Sequence, residues 1–351
     1  MTENKERIDE FYKNFKVRDY VEDNFKELPK KVLDCSLGVN PFQKNNNEYP
    51  DIQYTRLKKC LLKKFSEINN TLKEENIAFG QGSIGIIRNV FRFILESNDI
   101  VLGYSPQFPR VISEIELKKA QYIYYELKND YKFIVDEFIK RIEKNQKAIY
   151  IDNPNNPTGQ IIEIKDIERI VKVAKENNIY VIIDEAYGDY MEDKNSAITL
   201  INKYTNVIVI KSASKFYRMP DHRVGYVLAS ESIIKIYNNI SLPFPFSNKS
   251  MVLFEKNLKN IMKNNAHKRK TQKIKGIIIE QLKDKQFLHT NRETPIFTVQ
   301  SSKYENLREE LLMQGMMVED CSQYINLSEK YARIRINKNH KKVLKILNDV
   351  L

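Results

Sequence analysis

The sequence predicts an α/β fold with a mainly parallel sheet of seven strands, because short apolar runs alternate with amphipathic segments between residues 76 and 229. Strands are expected at 77–79, 100–102, 120–125, 148–151, 181–183, 207–210 and 224–228. Helices are expected at 52–68, 83–97, 107–118, 133–144 and 163–177, with Asp51 capping the first of them. Helices between parallel strands cover both faces of such a sheet.

The pattern changes after residue 230, which indicates a second, smaller α+β domain. Residues 231–285 have a largely helical pattern rich in lysine, and after Pro295 the order is strand, helix, strand, strand, helix. We therefore expect a large domain of residues 45–245. The small domain would combine residues 1–44 with residues 246–351.

Composition excludes several classes of protein. Of the 351 residues, 42% are hydrophobic, which is enough for a folded core. The net charge of +12 is spread over mixed acidic and basic helices, so nucleic-acid binding is not expected. Three cysteines without a CxxC pair and four histidines without an HxxxH pair predict no metal site and a reducing, cytoplasmic location. The sequence has no apolar run of membrane-spanning length and no signal-peptide core.

The stretch from Ser212 to Lys215, Ser-Ala-Ser-Lys, lies between two predicted strands, and Arg223 follows eight residues after the lysine. A lysine flanked by hydroxyls, with an arginine nearby, suits a Schiff base to an aldehyde cofactor whose phosphate is bound beside it. Taken alone, Lys215 is better interpreted as a solvated loop lysine.

Gly80–Gly85 reads Gly-Gln-Gly-Ser-Ile-Gly between a strand and a helix, which is the pattern of a dinucleotide-binding turn. A nicotinamide dehydrogenase is therefore an alternative. That pattern also needs an acid at the far end of the next strand, whereas Asp99 precedes the strand at 100–102. The simpler interpretation is a turn whose free amides, at the start of a helix, bind one phosphate.

Two further polar stretches follow predicted strands. The turn at 153–159, Asn-Pro-Asn-Asn-Pro-Thr-Gly, follows the strand at 148–151, and Asp184 ends the strand at 181–183. Ligands of open α/β sheets bind at this edge. The alternatives are an ordinary strand-to-helix connection for the turn and a helix cap for Asp184.

Together these motifs resemble, in order and spacing, those of the class I and II aminotransferases, which are fold type I pyridoxal-phosphate enzymes. The residues from Asp34 to Pro41, from Tyr49 to Asp51 and from Arg333 to Lys342 are similar to the branch that holds histidinol-phosphate aminotransferase and threonine-phosphate decarboxylase. The resemblance implies transamination between an amino acid or amine and a 2-oxo acid. Decarboxylation and oxidation are alternatives within the class, and a dehydrogenase or a basic binding protein lies outside it.

The resemblance also implies roles for individual residues. Lys215 would form the Schiff base and move the proton, and Asp184 would pair with the pyridinium nitrogen. Asn156 and Tyr187 would bind the phenolic oxygen, and Phe108 would stack on the ring. The residues implied around the phosphate are Gly82, Ser83, Ser212, Ser214 and Arg223.

Two implied roles concern the substrate and the oligomer. Arg333 would pair with the substrate carboxylate, where the guanidinium fork makes two bonds. Tyr49 would reach the cofactor phosphate of a neighbouring subunit, which implies a homodimer.

The sequence departs from the family pattern around the substrate. Arg335 stands where a small or apolar residue is usual, and Glu319 stands where relatives usually have an arginine. A carboxylate at 319 would repel a substrate phosphate, so we expect a substrate that is not a phosphate ester. Alternatively, Glu319 pairs with Arg333, Arg335 or a surface lysine, or Arg335 recreates the phosphate site.

Overall fold

The computed structural model describes residues 12, 14, 15, 50, 51, 53–128, 130–285 and 287–351. Within these, seven strands form one sheet in the order β1-β7-β6-β5-β4-β2-β3. Strand β7 is antiparallel to both β1 and β6, and the other neighbours are parallel. The strands are β1 Ile77–Gln81, β2 Ile100–Ser105, β3 Gln121–Glu126, β4 Gln146–Asp152, β5 Tyr180–Glu185, β6 Val207–Ser212 and β7 Val224–Ala229. The predicted mainly parallel sheet is confirmed.

Apolar side chains cover both faces of this sheet. Along the parallel strands, Leu102, Ile149 and Ile183 point into one buried cluster. Their neighbours Val101 and Ala148 point into a second cluster on the opposite face. Because successive side chains of a strand alternate between faces, near-continuous apolar strands are what a doubly covered sheet requires.

Helix α1 Thr55–Phe65 precedes the first strand, and four helices lie between consecutive strands from β1 to β5: α2 Gly82–Ile94, α3 Pro109–Leu117, α4 Val135–Ile139 and α5 Ile164–Glu176. The predicted helix at 133–144 was too long. The Gln146 side chain accepts a hydrogen bond from Glu143 N (3.1 Å) and donates to Arg141 O (2.7 Å). These groups are satisfied by a side chain, so the helix ends earlier.

Asp51 serves the start of α1 as predicted, although the helix begins three residues later than expected. Its carboxylate accepts hydrogen bonds from Gln53 N (2.9 Å) and Thr55 N (3.0 Å). Tyr54 has a left-handed backbone with φ of 49°, which keeps it outside the helix.

The C-terminal part contains a smaller sheet with its own core. Before it come α6 Glu231–Ile240 and α7 Asn248–Lys259, whose buried side chains join the two clusters of the large sheet. The elements after them are α8 Ile261–Gln281, β8 Ile296–Gln300, α9 Leu307–Met313, β9 Glu319–Asp320, β10 Tyr331–Arg335 and α10 His340–Val350. The strands pair antiparallel in the order β8-β10-β9. Phe297, Leu311 and Leu347 belong to the separate apolar cluster that α8, α9 and α10 form with this sheet.

Several N-terminal predictions lie outside the described residues, notably Tyr49 and, except for residues 12, 14 and 15, the whole segment 1–44. Among the described helices, none combines the length and the apolar character needed to cross a membrane.

We expect Gly225→Ala to lower the free energy of unfolding by about 1–3 kcal/mol, measured by chemical denaturation. A Cβ at this position in β7 would lie 2.5 Å from the backbone carbonyl carbon of Gly82, which cannot rotate away. Gly276→Ala is the matched control, since its new Cβ would meet nothing closer than 3.5 Å. In the interior of α8 that change should stabilise by about 0.5–1 kcal/mol. Equal stability of Gly225→Ala and the wild type would contradict the close approach.

Candidate active site

The predicted site residues converge on one edge of the large sheet. The parallel strands β4, β5 and β6 end there, at Asp152, Glu185 and Ser212. Strand β1 ends at the same edge, since its Gln81 pairs with Val224, the first residue of the antiparallel β7. The turns and loops that follow these strand ends therefore face a common space.

Asp184 is a buried carboxylate held by two donors. Its Oδ2 accepts a hydrogen bond from the Tyr150 hydroxyl (2.8 Å), and its Oδ1 accepts one from Ala186 N (2.8 Å). Burial raises the pKa of Asp184 to about 6, although these hydrogen bonds and the charge of Lys215 lower it. The carboxylate is thus suited to a cationic partner brought into the site.

The Lys215 amine lies over the Tyr187 ring and within electrostatic range of Asp184. Lys215 is exposed, and its Nζ stands 5.5 Å from the centroid of the buried Tyr187 ring. Its charge acts on the Asp184 carboxyl. The structure therefore brings together an accessible amine, an aromatic ring and a buried acid, which the sequence separates by up to 31 residues.

A cradle for an anion is formed where α2 begins. Gly82 has a φ of +67°, and its N–H donates to Arg223 O (2.8 Å). A Cβ on Gly82 would collide with the Arg223 guanidinium, so the arginine occupies space that only glycine leaves free. Arg223 Nη1 donates to Pro220 O (2.9 Å) and approaches Ser214 Oγ (3.5 Å).

The cradle has the composition of a phosphate site. The first amides of α2, including that of Ser83, have no partner within the helix and favour negative charge. Ser212 Oγ accepts a hydrogen bond from Ser214 N (3.2 Å), which holds the loop that leads to Lys215. A phosphate beside Arg223 and an aldehyde near Lys215 fit this arrangement of donors.

The turn after β4 carries Asn156 toward the C-terminal part of the chain. Asn156 N donates to Asp152 Oδ2 (3.0 Å), while its side-chain oxygen accepts from Arg333 Nη1 (2.7 Å) and the Tyr324 hydroxyl (3.2 Å). Arg333 is also 3.4 Å from the Glu319 carboxylate, its direct partner across β9 and β10.

The internal pairing of Glu319 with Arg333 is thus one of the alternatives expected from the sequence. Arg335 is exposed and lies on the same face of β10 as Arg333. Burial raises the pKa of the Tyr190 phenol, and the charge of Arg335 partly offsets this rise. Phe108 is half-buried and directly precedes α3.

Sequence reasoning missed the side chain that supports the Asn156 turn. Asp152 accepts hydrogen bonds from the Tyr104 hydroxyl (2.9 Å) and Asn155 Nδ2 (2.9 Å) in addition to Asn156 N. Burial raises the pKa of Asp152 to about 7 against these three donors. Its position at the end of a strand, directly before the Asn-Pro turn, was the available signal.

A buried ion network beneath the site was also missed. Lys211 Nζ lies 2.9 Å from Glu185 Oε2 and 4.0 Å from Asp189 Oδ2, and Asp189 also pairs with Lys64. The Glu185 carboxylate accepts further bonds from Ser196 Oγ and Ala197 N, both at 2.7 Å. Charged residues inside apolar strands, at Glu185 and Lys211, were the signal in the sequence.

The dinucleotide alternative does not agree with the position of the glycine turn. Strand β1 is an edge strand whose partner, β7, is antiparallel, whereas a dinucleotide turn follows a strand within a parallel βαβ unit. Asp99 precedes β2, and its carboxylate accepts a hydrogen bond from Glu96 N (2.8 Å). It therefore lies at the start of β2, whereas the glycine turn lies at the edge of the sheet where β2 ends.

Comparison with known proteins agrees with the resemblance found in the sequence. The family model of the aminotransferases of class I and II matches residues 15–349. The chain belongs to this family. It is a pyridoxal-phosphate-dependent aminotransferase.

Relatives and solved structures place the match across nearly the whole chain. The histidinol-phosphate aminotransferase of Methanocaldococcus jannaschii is 28% identical over 83% of this chain and 79% of its own. The crystal structure of the Clostridium acetobutylicum histidinol-phosphate aminotransferase has a TM-score of 0.78 at 22% identity, covering 88% of this chain and 91% of that one.

A third similar protein carries the cofactor. The Sinorhizobium meliloti histidinol-phosphate aminotransferase, solved in complex with pyridoxal-5'-phosphate, has a TM-score of 0.72 at 18% identity and covers 87% of this chain and 84% of that one. The anion cradle at Gly82 and the buried Asp184 carboxylate fit this cofactor's phosphate and ring nitrogen.

We expect Asp152→Asn to remove a pH dependence of stability. The pKa of Asp152 is about 7 in the folded protein, whereas ~3.9 is typical of unfolded chains. The contribution of the protonated carboxyl to the free energy of unfolding is therefore fully present below pH 4 and is lost as the pH rises through 7. Between pH 5 and pH 8, the unfolding free energy of the wild type should fall by about 1–3 kcal/mol relative to the variant.

Denaturant titrations at the two pH values measure this difference. Asp284→Asn, which changes an exposed carboxylate after α8, is the matched control and should follow the wild type. Parallel pH profiles of the wild type and Asp152→Asn would show that Asp152 is not protonated in the folded protein.

Proposed function

We propose that this aminotransferase moves an amino group between an amino acid or amine and a 2-oxo acid, at the site around Lys215. The observation that carries the proposal is the convergence of the exposed Lys215 amine, the Tyr187 ring and the buried Asp184 carboxylate at one sheet edge, next to the anion cradle of Gly82 and Arg223. When bound, pyridoxal phosphate supplies an electron-accepting ring that stabilises negative charge developing at the substrate Cα.

Lys215 and Asp184 divide the proton chemistry in this proposal. Lys215 Nζ would hold the cofactor covalently and would move the proton at the substrate Cα. Asp184 holds a proton on the ring nitrogen, because a buried carboxylate facing a cation is stabilised in its charged form. Tyr187, whose ring lies beside Lys215 Nζ, would donate to the phenolic oxygen together with Asn156.

The remaining residues bind and orient. Arg333 takes the substrate carboxylate, as the pairing of its guanidinium with Glu319 illustrates for another carboxylate. Phe108 stacks on the cofactor ring. The residues proposed to hold its phosphate are Gly82, Ser83, Ser212, Ser214 and Arg223.

The proposal extends to the assembly and the compartment. Tyr49 would contact the cofactor phosphate of the partner in a homodimer, with residues 45–245 as the cofactor domain and residues 1–44 and 246–351 as the small domain. Among the described residues, Cys60 and the buried Cys321 are free thiols, which supports a reducing, cytoplasmic location.

We further propose that the amino donor carries no distal phosphate, although the relatives named above are histidinol-phosphate aminotransferases. Glu319 stands where the resembled enzymes usually have arginine, and its half-exposed carboxylate lies beside Arg333. This carboxylate would repel a phosphate dianion. The phosphate would also compete with Glu319 for Arg333, which is paired with Glu319 across β9 and β10. Neutral or cationic amino acids meet no such barrier.

We expect Lys215→Ala to reduce turnover by at least about a hundredfold while the protein remains folded, because Lys215 is exposed and acts by proton transfer. Borohydride reduction of the native holoenzyme followed by peptide mapping should find the cofactor attached at Lys215. Lys235→Ala, an exposed lysine of α6, is the control and should keep full activity. Attachment to any other lysine would refute the assignment.

The charge at Glu319 should decide how phosphate esters are handled. Replacing Glu319 by Arg removes a repulsion and adds a charge-assisted bond, so kcat/KM for phosphate esters should rise by about tenfold to a hundredfold. Single-turnover spectra with histidinol phosphate, phosphothreonine, arginine, lysine and neutral amino acids measure the preference. Glu329→Arg, an exposed residue with the same charge change, is the control.

The wild type should respond to neutral or cationic amino acids and convert phosphate esters slowly. Fast conversion of either phosphate ester, with no response to the other amino acids, would disprove the proposed donor class and leave the transamination proposal intact.

A further inference from the structure

A cavity of about 260 Å³ lies between helix α8, the segment that follows Lys215 and the loop after β10. Phe216 and Arg218 contribute one wall, His267 and Lys270 of α8 a second, and Lys338 a third. The cavity is therefore lined jointly by loops of the large sheet, by helix α8 and by the loop after β10. None of these residues has a role in the proposed reaction.

The charged lining of the cavity is entirely basic. Arg218, Lys270 and Lys338 carry this charge beside the His267 imidazole, and no aspartate or glutamate lines the cavity among the described residues. Arg335 adds to this field, since its charge and that of Arg218 both act on the phenol of Tyr190, another lining residue. A concave surface lined by one sign of charge concentrates counter-ions.

Two acids that are close in sequence to Tyr190 are already paired elsewhere. Asp189 lies in the buried network with Lys64 and Lys211. Asp193 is 3.1 Å from Lys268 Nζ, which also donates to Met191 O (2.9 Å). The positive charge that lines the cavity is therefore not neutralised by these carboxylates.

Arg218 and His267 hold each other in place at the cavity wall. Arg218 has a left-handed backbone with φ of 57°, and its Nη2 donates to His267 Nδ1 (2.9 Å). The pKa of His267 is lowered by burial and then by the charges of Arg218, Lys263 and Lys270. The imidazole thus lies in a positive field that a bound anion would relieve.

We propose that this cavity binds a phosphate dianion, either free phosphate or the phosphate group of a small metabolite, separately from the cofactor. Tyr190 and Phe216, whose rings pack edge to face at 5.0 Å, form the wall toward Tyr187, which is 6.4 Å from Tyr190. A single water needs about 10–15 Å³ of cavity volume on this measure, so the cavity holds more than a bare anion.

An anion at this position links three parts of the molecule. It joins the Phe216–Arg218 segment, which follows Lys215 directly, to α8 and to the loop around Lys338. Binding therefore restrains the loop that presents the Lys215 amine. The site acts as an effector site, because it contacts neither Lys215 nor Arg333.

The test is isothermal titration of the holoenzyme with inorganic phosphate at low ionic strength, since bound cofactor fills the phosphate cradle at Gly82. We expect one site per chain. Lys270→Gln/Lys338→Gln, which removes two exposed lysines of the cavity, should weaken binding about tenfold. Lys273→Gln/Lys341→Gln is the control, since it makes the same charge change at two exposed lysines that do not line the cavity.

A second titration with glycerol 3-phosphate distinguishes the two sources of the anion. Tighter binding than inorganic phosphate identifies a phosphorylated metabolite, and weaker binding identifies free phosphate. Equal weakening in both double variants, or no heat of binding in the wild type, overturns the proposal. The measurement involves no turnover, so its outcome is independent of the transamination proposal.

Discussion

The arrangement of the site depends on a buried ion pair beneath it. Lys211 and Glu185, at the ends of the neighbouring strands β6 and β5, are 2.9 Å apart and almost completely inaccessible. Burial lowers the pKa of Lys211, but Asp189 and Glu185 outweigh this effect and raise it, so the lysine stays charged. Removing one partner of such a pair costs about 3–5 kcal/mol, because the other charge is left buried and alone.

This pair fixes the positions of groups on the opposite face of the sheet. Successive side chains of a strand point to opposite faces of the sheet. The pairing of Glu185 with Lys211 on one face therefore fixes the positions of their neighbours Asp184 and Ser212 on the other face. Asp189 belongs to the same network and lies in the short turn that follows Tyr187, which a hydrogen bond from Tyr190 N to Tyr187 O (3.0 Å) closes. The polar cluster below is thus the support for the acid, hydroxyl and aromatic ring that face the cofactor.

Local pattern was sufficient where local forces decide the structure. The apolar runs of the seven strands and the Asp51 cap followed from side-chain periodicity and short-range hydrogen bonds. The expected helix at 133–144 failed because Gln146, just beyond it, bonds back to Arg141 and Glu143. Asp152 was missed because its donors include Tyr104, which lies 48 residues away.

The sequence by itself determined the family, the cofactor and the order of the site motifs, because each motif is a short stretch with its own chemical role. Only the tertiary structure decided which partners these residues have. The pairing of Arg333 with Asn156 joins positions 177 residues apart, and that of Arg333 with Glu319 depends on the register of β9 against β10. The basic cavity likewise exists only because three segments that are distant in sequence pack together. A local sequence pattern does not predict such long-range packing.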